Sequence, residues 1–123
     1  MKSPLLRFAA FLLPVVALLA GCHSSHIEVT VENRTGAPIE LLEVDYPSAS
    51  FGDDTLAAGA DFHYRIQVRL SGPVKVQYTE ANPTHQVRQI TGPDLYERQE
   101  GRFTIVLLPA GKAEFHPELT PKP

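Results

Sequence analysis

The chain predicts an all-β domain, an immunoglobulin-like antiparallel β-sandwich of about seven strands, and three observations carry that expectation. Apolar residues recur at every second position in several short runs. Turn-forming residues interrupt those runs roughly every 8 to 12 positions. No stretch beyond residue 22 reads as a convincing helix. The mature chain lacks the disulfide and the tryptophan of antibody domains, so only the double-sheet architecture is implied, and an open barrel is the rival.

In the first run Ile27, Val29 and Val31 share one side and Glu28, Thr30 and Glu32 the other, the mark of a half-buried strand. Asn33-Arg34-Thr35-Gly36 reads as a turn. After Pro38, Ile39 and Leu41 share a face, and the apolar set then slips by one to Leu42, Val44 and Tyr46. Such a slip predicts a β-bulge or a strand crossing between sheets. Pro47 to Ala60 is rich in Ser, Gly, Asp and Ala and is expected to be a loop, with at most a short extended piece near Ser50 to Gly52.

The clearest alternation follows: Phe62, Tyr64, Ile66, Val68 and Leu70 against His63, Arg65, Gln67 and Arg69. Ser71-Gly72-Pro73 turns, and Val74, Val76 and Tyr78 are expected to form its antiparallel hairpin partner. Thr84 to Thr91 is a weaker, polar strand suited to a sheet edge, ended by Gly92-Pro93-Asp94. Leu95 to Glu100 fits one helical turn or a loop. Phe103 to Leu108 is continuously apolar, which predicts a strand in the middle of a sheet with both faces covered. Lys112 to His116, with Ala113 and Phe115 inward, closes the domain, and the residues from Pro117 to Pro123 form a Pro-rich extended tail.

With 123 residues and 43% hydrophobic content the chain holds one core once a leader is removed. The leader is MKSPLLRFAAFLLPVVALLAGC: Lys2 and Arg7 precede an apolar stretch from Phe8 to Ala20, which ends in the small residues Ala20 and Gly21. A membrane-spanning helix needs about 20 apolar residues. This stretch is shorter and interrupted by Pro14, so it reads as a secretion signal. Removing Lys2 and Arg7 takes the formal charge from -3 to -5, because no acidic residue precedes Glu28. The nine remaining basic residues are scattered, which excludes the clustered stripe that nucleic acid requires.

Leu19-Ala20-Gly21-Cys22 resembles the lipobox of bacterial lipoproteins, and Cys22 is the only cysteine. The resemblance implies that residues 1–21 are cleaved and that the Cys22 sulfur carries a diacylglyceryl thioether, with its new amine open to acylation, palmitate among the acyl groups. Residues 22–26 are then a lipidated N-terminus and short link, 27–116 the sandwich and 117–123 the tail. Each buried methylene contributes about 0.8 kcal/mol, so two or three acyl chains hold a protein firmly where one does not. His23 rather than aspartate after the cysteine implies, by the same resemblance, the outer membrane facing the periplasm. Without a second cysteine the domain has no internal disulfide, and packing alone must hold it. The stretch from Asn33 to Phe115 resembles small uncharacterised bacterial lipoproteins, and that resemblance implies no activity.

The remaining chemistry is weighed residue by residue. His23, His26, His63, His85 and His116 could ligate a transition metal, but no HxH or HxxxH pair is present and surface positions are the expectation. Ser48 or Ser50 with His63 or His85 and Asp53 or Asp54 could be assembled into a triad on paper; no G-x-S-x-G elbow supports it. Asp45, Asp53, Asp54 and Asp61 match no calcium-loop spacing. Asn33-Arg34-Thr35 fits a glycosylation acceptor by chance. Tyr64 and Tyr78 are expected in the core. Phe51, next to Gly52, either plugs the end of the sandwich, the favoured reading, or is offered to a partner together with Asp53 and Asp54. The expected role is a membrane-tethered, non-enzymatic interaction or accessory module without a cofactor, with an envelope protein as partner. The alternative is a periplasmic lipoprotein that binds a small ligand or a metal.

Overall fold

The computed structural model describes residues 23–81 and 83–122, and the leader and Cys22 lie outside the described residues. Among the described residues there are eight strands: β1 (Ile27–Asn33), β2 (Ile39–Tyr46), β3 (Ala49–Leu56), β4 (Asp61–Ile66), β5 (Gly72–Glu80), β6 (Val87–Leu95), β7 (Glu100–Leu108) and β8 (Lys112–Thr120). They form two four-stranded sheets, one in the order β4-β1-β7-β8 and the other β3-β2-β5-β6. The expected all-β sandwich is therefore present, with eight strands in place of about seven. Of the six strand pairings five are antiparallel; β1 and β7 pair in parallel, with Ile27 opposite Gly101.

The alternation of β1 is realised as read: Ile27, Val29 and Val31 are buried between the sheets. Burying one such side chain contributes about 1.5 to 3 kcal/mol, which is why the apolar side of each strand dictates its orientation. The slip in β2 is a bulge. Its register against β5 shifts between Glu40 and Glu43, and Leu41 takes a φ of 52° with its side chain 64% exposed. One residue is thus turned outward so that Ile39, Leu42 and Val44 all reach the core.

Five expectations change. First, the segment expected to be a loop from Pro47 to Ala60 contains β3, because Phe51 and Leu56 supply inward anchors around the polar Gly52-Asp53-Asp54. Second, β4 and β5 are not a hairpin: β4 pairs with β1, β5 with β2 and β6, and the chain between them crosses from one sheet to the other. Both sheets turn their apolar sides to the same interior, so alternation alone cannot distinguish the two routes. Third, β6 runs on through Gly92-Pro93-Asp94 to Leu95. An edge strand tolerates proline, and Gly92 is needed because a Cβ there would come within 2.6 Å of the Phe115 ring.

Fourth, the tail is largely structured: β8 continues through Pro117 to Thr120, paired with β7 as far as Glu100. Fifth, β7 is central as expected, but only Phe103, Ile105 and Leu107 are fully buried, while Thr104, Val106 and Leu108 on the outer side are half-buried. Gly101, the second residue of this strand, has a φ of 129°, and a Cβ there would meet the Glu118 carbonyl oxygen at 2.2 Å. The β7–β8 pair can approach so closely at that point only because glycine occupies it.

The two open sides of the sandwich are closed differently. Where the edges β3 and β4 meet, Phe51 is only 6% exposed and stacks on Tyr64 with ring centroids 4.7 Å apart and planes 8° from parallel. Tyr64 is 47% exposed, so it covers the core from outside instead of lying within it, as the alternation had suggested. Tyr78 does lie fully inside. Where β6 and β8 meet, Phe115 lies against Gly92, and a groove of about 840 Å³ runs between Pro93 and Leu119.

Candidate functional site

Four segments carry the chain between the sheets, two at each end. At one end are the β1–β2 link (34–38) and the β3–β4 link (57–60); at the other are the β4–β5 link (67–71) and the β6–β7 link (96–99). The second end is also where the chain enters. The Gly101 N–H donates to the His26 carbonyl, and His23 Nε2 lies 2.6 Å from Glu100 Oε2. Cys22, the residue before His23 in the chain and the expected lipidation position, lies outside the described residues. We call this second end the anchor-side end.

Its two links are clipped to each other. The Arg98 N–H donates to the Val68 carbonyl at 3.4 Å, and the Glu97 N–H donates to Ser71 Oγ at 3.1 Å. Gln99 is buried beneath them, accepting from the Tyr96 N–H at 2.9 Å and donating to the Pro121 carbonyl at 3.0 Å. Outside this frame stand Leu70, 56% exposed, and Tyr96. Around it the charges are mostly matched: Arg65 with Glu28 at 2.7 Å, Arg102 with Glu118 at 3.1 Å, and His23 with Glu100. A shallow depression of about 480 Å³ opens between His23, His26, Arg65 and Glu118.

The histidines do not converge. His63 on β4 shares a 3.0 Å hydrogen bond with Thr30, His116 on β8 lies 3.2 Å from Glu114, and His26 contacts the Ser24 carbonyl. His85 lies in the β5–β6 turn with a φ of 51°. Among the described residues no group of three or more His, Cys, Asp or Glu could hold a metal. The paper triad is also dispersed: Ser48 Oγ accepts from the Arg69 N–H at the anchor-side end, and His85 lies at the opposite end. Asp53 and Asp54 lie on the edge strand β3, half-buried and exposed, while Phe51 between the sheets presents no ring to a partner. Pro47 to Ala60 is read from the sequence as a loop and Thr84 to Thr91 as a strand suited to a sheet edge. The structure makes them the two edges of one sheet, β3 and β6.

Asn33 was read as a chance glycosylation acceptor, and it is instead a fully buried joint. Its Nδ2 donates toward the carbonyls of Ala37, Leu56 and Ala57 at 2.9 to 3.1 Å, and its Oδ1 accepts from the Thr35 N–H and hydroxyl. The Asn-x-Thr-Gly pattern after a strand is the signal: an asparagine that bonds the N–H two residues on makes an Asx-turn. Tyr78 has the opposite problem, since its hydroxyl is buried without a partner. Burial, with Glu80 adding to it and Arg88 opposing, pushes its ionisation above the usual tyrosine value.

No family model and no curated protein matches this chain. The fold is similar to a solved NMR structure of a protein from Eubacterium rectale, at 15% identity and a TM-score of 0.46, over 80% of this chain and 91% of that one.

Proposed function

We propose that the protein is a lipoprotein of the bacterial cell envelope, tethered through lipid on Cys22 to the periplasmic face of the outer membrane, and that its sandwich is a non-enzymatic interaction module. The observation that carries this is the Leu19-Ala20-Gly21-Cys22 motif at the end of a leader, four residues before the first strand. The entry of the chain at one end supports the geometry: a lipid at Cys22 leaves the opposite end and both edges of the β3-β2-β5-β6 sheet directed toward the periplasm. Edge strands offer backbone donors and acceptors for an added strand, and β6, with its polar side chains, is the better suited of the two.

The decisive experiment follows the sulfur. Mass spectrometry of the membrane-extracted protein is expected to find a mature N-terminus at Cys22 bearing diacylglyceryl, and Cys22→Ser is expected to leave an unprocessed precursor. A bare thiol at Cys22, or normal processing of the serine variant, overturns the reading. For the interaction role, affinity purification of the lipidated protein from envelope extracts is expected to enrich a defined partner, and repeated failure to do so counts against it.

A further inference from the structure

We propose that the anchor-side end of the sandwich seats in the headgroup layer of the phospholipid bilayer, with Leu70 and Tyr96 as its inserted side chains; this rests on the lipoprotein reading of Cys22. Among the described residues five large apolar residues are substantially exposed, Leu41, Tyr64, Leu70, Val87 and Tyr96. Leu41 is the outward residue of the β2 bulge, Tyr64 covers Phe51, and Val87 opens β6 at the other end. Leu70 and Tyr96 are carried at one end, on two links that are hydrogen-bonded to each other through Arg98 to Val68 and Glu97 to Ser71. An aliphatic tip beside a tyrosine suits the boundary between headgroups and acyl chains, where the phenol ring stays amphipathic.

The position of the tether selects this occupant. One residue spans at most about 3.6 Å, so a lipid on Cys22 enters the bilayer close to His23, which Glu100 holds at this same end. Any bilayer that accepts the acyl chains therefore lies against the links without a further search. The charges agree with that placement. Arg69 and Arg98 flank the tip with no carboxylate partner among the described residues, against the single tip carboxylate of Glu97. Guanidinium groups fit phosphate oxygens. Of the carboxylates on β2 and β3, Glu40, Glu43, Asp53 and Asp54 lie along the strands away from the links, and Asp45 lies near the β2–β3 turn.

The full lipidated protein in phosphatidylethanolamine–phosphatidylglycerol vesicles tests this, since Cys22 is the only cysteine and lipidation consumes its thiol. Leu70→Cys and, at the opposite end, Ala110→Cys each introduce one nitroxide site on an exposed residue. Relaxation by oxygen, which partitions into the bilayer, is compared with relaxation by an aqueous nickel chelate. The expected ratio is several-fold higher at position 70 than at 110, and Arg69→Glu with Arg98→Glu is expected to lower it. Vesicle-bound protein with equal, water-like ratios at both positions overturns the seating while leaving the anchor intact. Wild-type protein that takes the label at Cys22 and fails to float with vesicles overturns the anchor and the seating together. Unchanged circular dichroism of both cysteine variants shows that the fold is retained.

Discussion

The two ends of the sandwich solve one problem with unequal means. Each has two links crossing between the sheets, and each has one buried amide beneath them. Links expose backbone groups that lose water on burial and must be repaid in hydrogen bonds. At the far end Asn33 engages carbonyls of both links and the Thr35 amide and hydroxyl, five contacts in all. At the anchor-side end Gln99 makes two, one within its own link and one to the chain end. The far end is a closed joint, with Val87 at the start of β6 as its exposed large apolar side chain. The anchor-side end is a lighter frame that leaves Leu70 and Tyr96 outside, the two side chains that the proposed seating covers.

Asn33→Ala should break the closed joint and have the largest effect. Several carbonyls and the Thr35 donor lose their partner, a loss of about 3 kcal/mol at about 1 to 3 kcal/mol per unsatisfied buried group. A melting temperature lowered by more than about 10 °C in thermal denaturation is the expected result. Gln99→Ala removes two contacts at the lighter end, so about 1 to 2 kcal/mol and a fall of about 5 °C are expected. Equal effects of the two substitutions would erase the distinction between the ends.

Tyr78→Phe sharpens the comparison from inside the core. The hydroxyl it removes has no partner, so at neutral pH stability should stay level or rise by up to about 1 kcal/mol. Because the folded state holds Tyr78 above the ordinary tyrosine value, the unfolded chain ionises first as pH rises, and wild-type stability should fall above about pH 10. Urea titrations at pH 7 and pH 11 should show the variant's advantage growing at the higher pH. Leu70→Ser should have the smallest effect on folding, within about 0.5 kcal/mol, because the side chain is mostly in water in the isolated domain. A large destabilisation there would mean that Leu70 belongs to the core after all.

The legible parts of the fold were those in which a local pattern has one physical meaning. The one-residue slip between Leu41 and Leu42 could bury both Ile39 and Val44 only by a bulge or a change of sheet, and a bulge is found. The β1 alternation and the central place of β7 follow from which side chains must leave water. The β4–β5 link was not legible, since a strand that stays in its sheet and one that crosses present the same alternation. The Leu70 position was misassigned for the same reason: it continues the Phe62–Val68 apolar series, but β4 ends at Ile66 and the chain turns away. Of the candidate contact residues, Asp53 and Asp54 are at an accessible edge and Phe51 is not, because only tertiary structure brings the Tyr64 ring over it.

The sequence by itself determined the all-β class and the inward set of most strands, because each depends on residues close together in the chain and on their transfer out of water. The tertiary structure alone decided which sheet each strand joins, that Asn33 is a joint, and that the links carrying Leu70 and Tyr96 are joined at the end where the chain enters. Those outcomes depend on contacts between residues far apart in sequence, which no local period records.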